Sequence, residues 1–256
     1  MDLELAGRAV LVTGGSDGLG LALAHRLLAE GASIAICGRD EGRLASAVSE
    51  LGPGDVLARS LDVTHPGTIE AFVDEAADRF GRLDGVVSNA GRASALPVVE
   101  STDDAWRDDL ELKVLAAVRL ARAAAPHLEA VGGSIVNVLA VAAKAPDAAS
   151  TPTSASRAAG LALTKALSKE LGPLGVRVNA ILIGLIESGQ WQRRAAAAGT
   201  TVEEFYEAVT QHARIPLGRF GRAEEFADLC AYLLSPRASY VTGTGINLDG
   251  GLSPAS

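Results

Sequence analysis

The chain has 256 residues, 48% hydrophobic and 21% charged, with only ten prolines. That is enough apolar chain for one good-sized core, and no linker-like run divides it. The formal net charge of −8, with no block of lysine or arginine, argues against a nucleic-acid partner.

The opening "MDLELAGRAVLVTGG" is acidic and lacks the basic start, apolar middle and cleavage site of a signal peptide. No apolar run approaches the roughly 20 residues of a membrane span, so no membrane partner is expected. Cys37 and Cys230 lie far apart with no partner at metal-ligand spacing, which reads as buried free thiols in a reducing cytoplasm. His25, His65 and His127 share no metal spacing either, so no metal site is expected.

In chain order, short β-branched runs alternate with longer helical patterns. Strands are predicted at 8–13, 33–37, 56–61, 83–88, 134–138, 176–182 and 245–249. Most are near-continuously apolar, as parallel strands covered on both faces are. Helices are predicted between them, among others at 18–30, 67–79, 102–129, 153–171 and 223–234. "STDDAW" supplies a capping residue and early acids for the third of the longer ones. The alternation predicts a single α/β domain, a doubly wound parallel sheet of about seven strands flanked by helices. Ligands in such sheets bind at the carboxyl ends of the strands, near the switch in strand order.

"VLVTGGSDGLGLALAHRLL" carries the end of the first strand directly into the first helix. Gly14, Gly18 and Gly20 allow a tight turn, close backbone approach and close helix packing, and the helix N-terminus can then face a pyrophosphate. A lone glycine pattern is weak; its strand–turn–helix context makes dinucleotide binding the expected role.

From these residues onward the sequence resembles the short-chain dehydrogenase/reductase family. "TGGSDGLG" looks like that family's TGxxxGxG loop, "LDV" (61–63) its adenine-pocket segment and "NAG" (89–91) its post-strand turn. "RVNAILIGLIESG", "RIPLGRFGRAEEFADLCAYLLSP" and "YVTGTGINLDGG" resemble its later signatures, so the likeness spans practically the whole chain. The resemblance implies a Rossmann-type fold over residues 1–256, a substrate lid around 186–215 and a homo-oligomer, a tetramer, assembled through the helices at 102–129 and 153–171. By position, Gly14, Ser16, Leu19 and Gly20 would hold the phosphates, with Gly18 shaping the loop. Asp62 and Val63 would meet the adenine, and Asn89, Ala90 and Gly91 the ribose and pyrophosphate. Ile183 replaces the usual proline of its segment, and Ile186 and Ser188 lie on the nicotinamide side, Ser188 keeping a hydroxyl for the carboxamide.

At the end of the second strand, "CGRD" puts Gly38 where an acid would select the 2′-hydroxyl of NAD, and Arg39 follows, placed for a 2′-phosphate. Asp17 in the glycine loop opposes this, since its charge would repel the phosphate. The balance leans to NADP.

The resemblance also implies hydride transfer between nicotinamide and a carbonyl carbon, with a tyrosine exchanging the proton, a lysine one helical turn later, a serine at the carbonyl and an asparagine on the preceding helix. At all four positions this chain departs: Thr153 stands at the tyrosine, Arg157 at the lysine, Ala140 at the serine and Lys113 at the asparagine. Threonine has no ionisation near neutrality and ends short of a phenol's reach. Arg157 can donate to ribose hydroxyls but is a permanent cation that cannot shuttle a proton.

Lys113 is therefore the candidate proton donor: an ammonium beside Arg157 would have its pKa lowered toward a useful range. Alternatively the two cations grip a substrate carboxylate. The residue pattern alone favours a third course, in which Lys113 runs along its helix to solvent. Tyr206 and His212, in the lid, are expected to pack or face solvent; Tyr232 and Tyr240 read as structural, and "QWQRR" (190–194) as a solvated lid face.

Three functions follow. The first is an NADP-linked oxidoreductase for a small-molecule substrate, with Lys113, Thr153 and Arg157 in an unusual site. The second is a catalytically silent subunit or cofactor-dependent binding protein, assembled with an active relative. The third, a non-redox enzyme on the same scaffold, ranks last because the dinucleotide loop is kept. The altered tetrad implies little turnover of generic ketones or β-ketoacyl thioesters.

Overall fold

A computed structural model describes residues 1–256. The sheet strands are β1 (Ala9–Thr13), β2 (Ser33–Gly38), β3 (Val56–Ser60), β4 (Gly85–Ser88), β6 (Ser134–Ala140), β8 (Arg177–Ile183) and β9 (Gly245–Leu248). They form one seven-stranded sheet in the order β3-β2-β1-β4-β6-β8-β9, parallel at every pairing. Two very short strands, β5 (Ala95–Leu96) and β7 (Thr151–Pro152), make a separate antiparallel pair. The order reverses between β1 and β4, and the cleft at their carboxyl ends is where such sheets take ligands.

The predicted strands all form, because runs such as "AVLVT" are mostly apolar and are buried at every position, on both faces. Alternate side chains divide between two cores. Val10, Val12, Ile34 and Ile36 join Leu23, Leu27, Phe226 and Leu233 of α1 (Gly18–Ala29) and α9 (Ala223–Leu234). Leu11, Ala35 and Cys37 face Phe72, Val73, Leu120 and Leu128 of α3 (Thr68–Phe80) and α5 (Ala116–Glu129) on the other side. Cys37 and Cys230 are both buried and free. A further helix, α2 (Glu41–Leu51), is capped by Asp40, which accepts from the Arg43 backbone at 2.8 Å.

The stretch 102–129, expected as one helix, is not one. Thr102 caps α4 (Asp103–Leu110), accepting from Ala105 N at 3.2 Å. A π-turn over Glu111–Leu115 then joins it to α5. Apolar periodicity continues through the break, so nothing in the pattern marked it. The wide turn holds Lys113, and the last turn of α4 holds Asp109, both buried beside α6 (Thr153–Leu171). Single π-turns are frequent at functional sites.

Residues 186–215 contain α7 (Gly189–Ala197) and α8 (Val202–Ala213), held by aromatic packing of Trp191 against Phe205 and Phe220. No helix is long and apolar enough to cross a membrane.

Candidate active site

The glycine loop is built by backbone. Gly14 and Gly18 lie at positive φ (68° and 51°), where a side chain is strained. A Cβ on Gly20 would stand 2.2 Å from the Gly14 carbonyl oxygen, so only glycine lets α1 start this close to β1. Asn89 locks the arrangement: its Nδ2 donates to the carbonyls of Thr13 (2.9 Å) and Gly14 (3.1 Å). Thr13 Oγ1 accepts from the backbone of Asn89 and Ala90 at 3.0 and 3.1 Å. The Asn89 amide is thus committed to the loop.

At the end of β2, a Cβ on Gly38 would meet Ser16 Oγ at 2.5 Å. An acidic side chain there would have to displace the serine hydroxyl. Arg39 follows, 63% exposed, 3.8 Å from Asp62. Asp62 Oδ1 accepts from Thr64 N and Oγ1 at 2.9 and 2.8 Å. Asp17, whose charge counts against a phosphate, faces the Arg193 guanidinium of α7 at 3.4 Å. Ser188 precedes α7, close to Gly18. This cradle of loop glycines, a free serine hydroxyl and an exposed guanidinium fits a dinucleotide diphosphate and an added 2′-phosphate.

The catalytic half is built by side chains. Lys113 does not run to solvent, the course its helix pattern favoured: its side chain is 1% exposed. Its Nζ donates to Asp109 Oδ1 (2.5 Å) and to Thr153 Oγ1 (2.7 Å), which together hold it inside. Burial is the first cause pushing the ammonium down, to about 8; the Asp109 hydrogen bond opposes it, and repulsion from Arg157 and Arg92 adds to it. The expected repulsion from Arg157 is therefore real but secondary. A lysine buried to this degree cannot also reach out to a substrate carboxylate.

Asp109, also 1% exposed at its side chain, takes a second hydrogen bond from Ser156 Oγ at 2.6 Å. Thr153 Oγ1 accepts a further bond from Ser94 N at 2.9 Å. Asp109, Ser156 and Ser94 were not singled out from the sequence. The first could have been, since an acid one turn before a lysine is an i,i+4 pair. Arg157 donates from Nη1 to Val138 O at 2.5 Å, its Nη2 lies against Gly91, and its buried Nε has no partner. Burial lowers it to about 10, so it stays a cation at neutrality. Ala140 ends β6 and offers no polar group. The small space lined by Lys113, Asn137 and Arg157 is about 10 Å³, room for about one water.

The lid candidates lie apart from the Lys113 cluster, and the Tyr206 hydroxyl is buried without a partner. Tyr206 stacks on Phe220 at 4.5 Å, His212 is exposed, and Tyr240, read as structural, is fully exposed. Arg194 lies over the Trp191 ring. No group of histidines, cysteines and acids could hold a metal.

Known proteins share this fold. The pattern of a family described as "Enoyl-(Acyl carrier protein) reductase" matches residues 14–253. The putative ketoacyl reductase 1 of the granaticin polyketide synthase of Streptomyces violaceoruber is 37% identical over 251 residues, 94% of this chain and 92% of that one. A short chain oxidoreductase from Pseudomonas aeruginosa PAO1, described as containing an atypical catalytic center, is 37% identical. Its apo structure superposes with a TM-score of 0.94 over 100% of both chains. Its NADPH-bound form gives 0.92 over 97% and 98%. L-sorbose reductase from Gluconobacter frateurii, complexed with NADPH and L-sorbose, is 32% identical with a TM-score of 0.94 over 100% of both chains. With this sheet order, glycine loop and set of relatives, the chain belongs to the short-chain dehydrogenase/reductase family.

Proposed function

We propose that this protein is an NADP(H)-dependent oxidoreductase that interconverts a carbonyl and an alcohol through a non-standard active site. The observation that carries the reading is Lys113: a buried amine, 2.7 Å from the Thr153 hydroxyl, with a pKa brought to about 8. An acid with a pKa near the working pH is what carbonyl reduction needs. NADPH in the Pseudomonas aeruginosa relative and in L-sorbose reductase supports the cofactor assignment.

The phosphates would lie on the loop of Gly14, Ser16, Leu19 and Gly20, with Ser16 and Arg39 taking the 2′-phosphate. Asp62 and Val63 would border the adenine, Ala90 and Gly91 the ribose, and Ile186 and Ser188 the nicotinamide. Arg157, with its unpartnered Nε and its Nη2 against Gly91, would donate to the ribose side. The bound cofactor supplies the hydride. Lys113 and Thr153 supply the proton, and Arg157 adds positive potential beside the developing oxyanion. The relatives, a ketoacyl reductase and a ketose reductase, support a small carbonyl substrate. The reading extends to a cytoplasmic homotetramer joined through α4, α5 and α6.

The test is fluorescence titration with NADPH and NADH, followed by NADPH oxidation assays on ketoses, diketones and β-ketoacyl thioesters. NADPH is expected to bind the more tightly. Lys113→Met is expected to lower turnover of any substrate found by about 10²–10⁴-fold, with cofactor affinity unchanged. Failure to bind either dinucleotide overturns the reading.

A further inference from the structure

The reading above leaves a buried carboxylate unused. Asp109 is as inaccessible as Lys113, and both its oxygens are engaged, one by Lys113 Nζ and one by Ser156 Oγ. The carboxylate thus sits against the Lys113 ammonium as its buried counter-charge. Thr153 presents a second constraint. Its oxygen has two lone pairs, and Ser94 N–H and Lys113 Nζ occupy both. The hydroxyl proton of Thr153 therefore has no acceptor among these groups.

We propose, resting on the oxidoreductase reading, that Asp109 is a positioning residue that fixes the Lys113 ammonium on Thr153. The Thr153 hydroxyl then hands its proton to the substrate oxygen. As hydride adds to the carbonyl carbon, the C–O π pair moves to oxygen, which takes the Thr153 proton. Thr153 Oγ1 is restored by a proton from Lys113, which becomes a neutral amine. One proton leaves the lysine, one arrives on the alcohol, and Thr153 is unchanged.

The charges favour that direction. With Lys113 protonated, Asp109, Lys113 and Arg157 carry one net positive charge; once the proton has left, Asp109 and Arg157 balance. The groups that bear on the Lys113 amine are Asp109 from its own helix, Thr153 and Arg157 from α6, and Arg92 from the loop after β4. Arg92 is exposed and already faces Asp108 at 3.6 Å. Asp109 is thus the one acid in contact, and the relay depends on it.

The chain has four lysines, Lys113, Lys144, Lys165 and Lys169, so 13C NMR of ε-13C-lysine-labelled protein can follow each one. The signal missing in Lys113→Met gives its midpoint without cofactor or substrate. Asp109→Asn is expected to lower that midpoint by at least one pH unit, a tenfold loss of proton affinity. Ser156→Ala is expected to raise it, because the carboxylate loses its competing donor. Should Asp109→Asn fail to fold, Ser156→Ala still decides the matter by the opposite sign. A midpoint unmoved in the soluble variants overturns the positioning role. Thr153→Val should cut reduction at least a hundredfold while Thr153→Ser retains most of it; equal rates for Thr153→Val and the wild type overturn the relay. A wild-type reduction rate indifferent to Lys113 titration also overturns the relay, whereas no reduction of any carbonyl, with the midpoints shifting as stated, overturns the oxidoreductase reading and leaves the positioning role standing.

Discussion

The two halves of the cleft are made of different material. At the cofactor end, between β1, β2 and α1, the shape comes from backbone: positive-φ glycines, a Gly20 that admits no Cβ, and an Asn89 amide tied to two carbonyls. At the catalytic end, between the π-turn and α6, the shape comes from four side chains, Asp109, Lys113, Thr153 and Ser156, bonded to one another. A backbone site accepts few substitutions. A side-chain network can be exchanged as a set, provided every buried polar group keeps a partner. Lys113 without Asp109 would be an uncompensated buried charge; together the two are held.

The comparison breaks most visibly at Gly20. In Gly20→Ala the new Cβ falls 2.2 Å from the Gly14 oxygen, so the loop must move. Overpacking of this kind costs about 1–3 kcal/mol, and if borne by the bound state it corresponds to a loss of up to about a hundredfold in NADPH affinity. Titration should find that loss, with a lowered melting temperature alongside. Unchanged affinity would mean that the loop does not carry the cofactor.

The next effect sharpens the contrast through pH. Reduction needs Lys113 as the ammonium, so kcat/KM for reduction should fall as pH rises through about 8, and alcohol oxidation should rise over the same range. Stability carries the same signature. The folded pKa lies below the usual 10.5 of lysine, so between about 8 and 10.5 the unfolded chain binds more protons than the native one. Stability from this group therefore rises with pH across that window, and the penalty is fully present below 8. Its size is on the order of 3 kcal/mol. The difference in melting temperature between wild type and Lys113→Met, measured at pH 7.5 and 9.5, should show it. Equal pH dependence in both would place the lysine in contact with water.

The smallest effect belongs to Arg39, which is exposed and only loosely paired with Asp62. Arg39→Ala should reduce the preference for NADPH over NADH by about tenfold, as loss of one charge-assisted phosphate contact does. Folding stability should barely change, since exposed ion pairs contribute little. A preference that survives intact would assign the 2′-phosphate to other groups, Ser16 first.

Much of this was legible in the residues. Largely apolar runs such as "AVLVT" and "SIAIC" announce buried parallel strands, and the strand–glycine loop–helix unit announces the tight turn that we propose holds the phosphates, because backbone sterics and periodicity are local. So is the departure at Lys113, Ala140, Thr153 and Arg157, since identity at a position is a property of the chain. Where Lys113 points is not local. Its helix pattern suggested solvent, and only the π-turn against α6 turns it onto Thr153, forty residues away in sequence. Ser94, which takes one lone pair of Thr153, comes from yet another loop. Sequence alone thus determined the fold, the glycine loop's place in it and the list of exchanged residues. The tertiary structure decided that those residues form one buried hydrogen-bonded set, because a long side chain's direction and a lysine's pKa follow from which groups surround it in space.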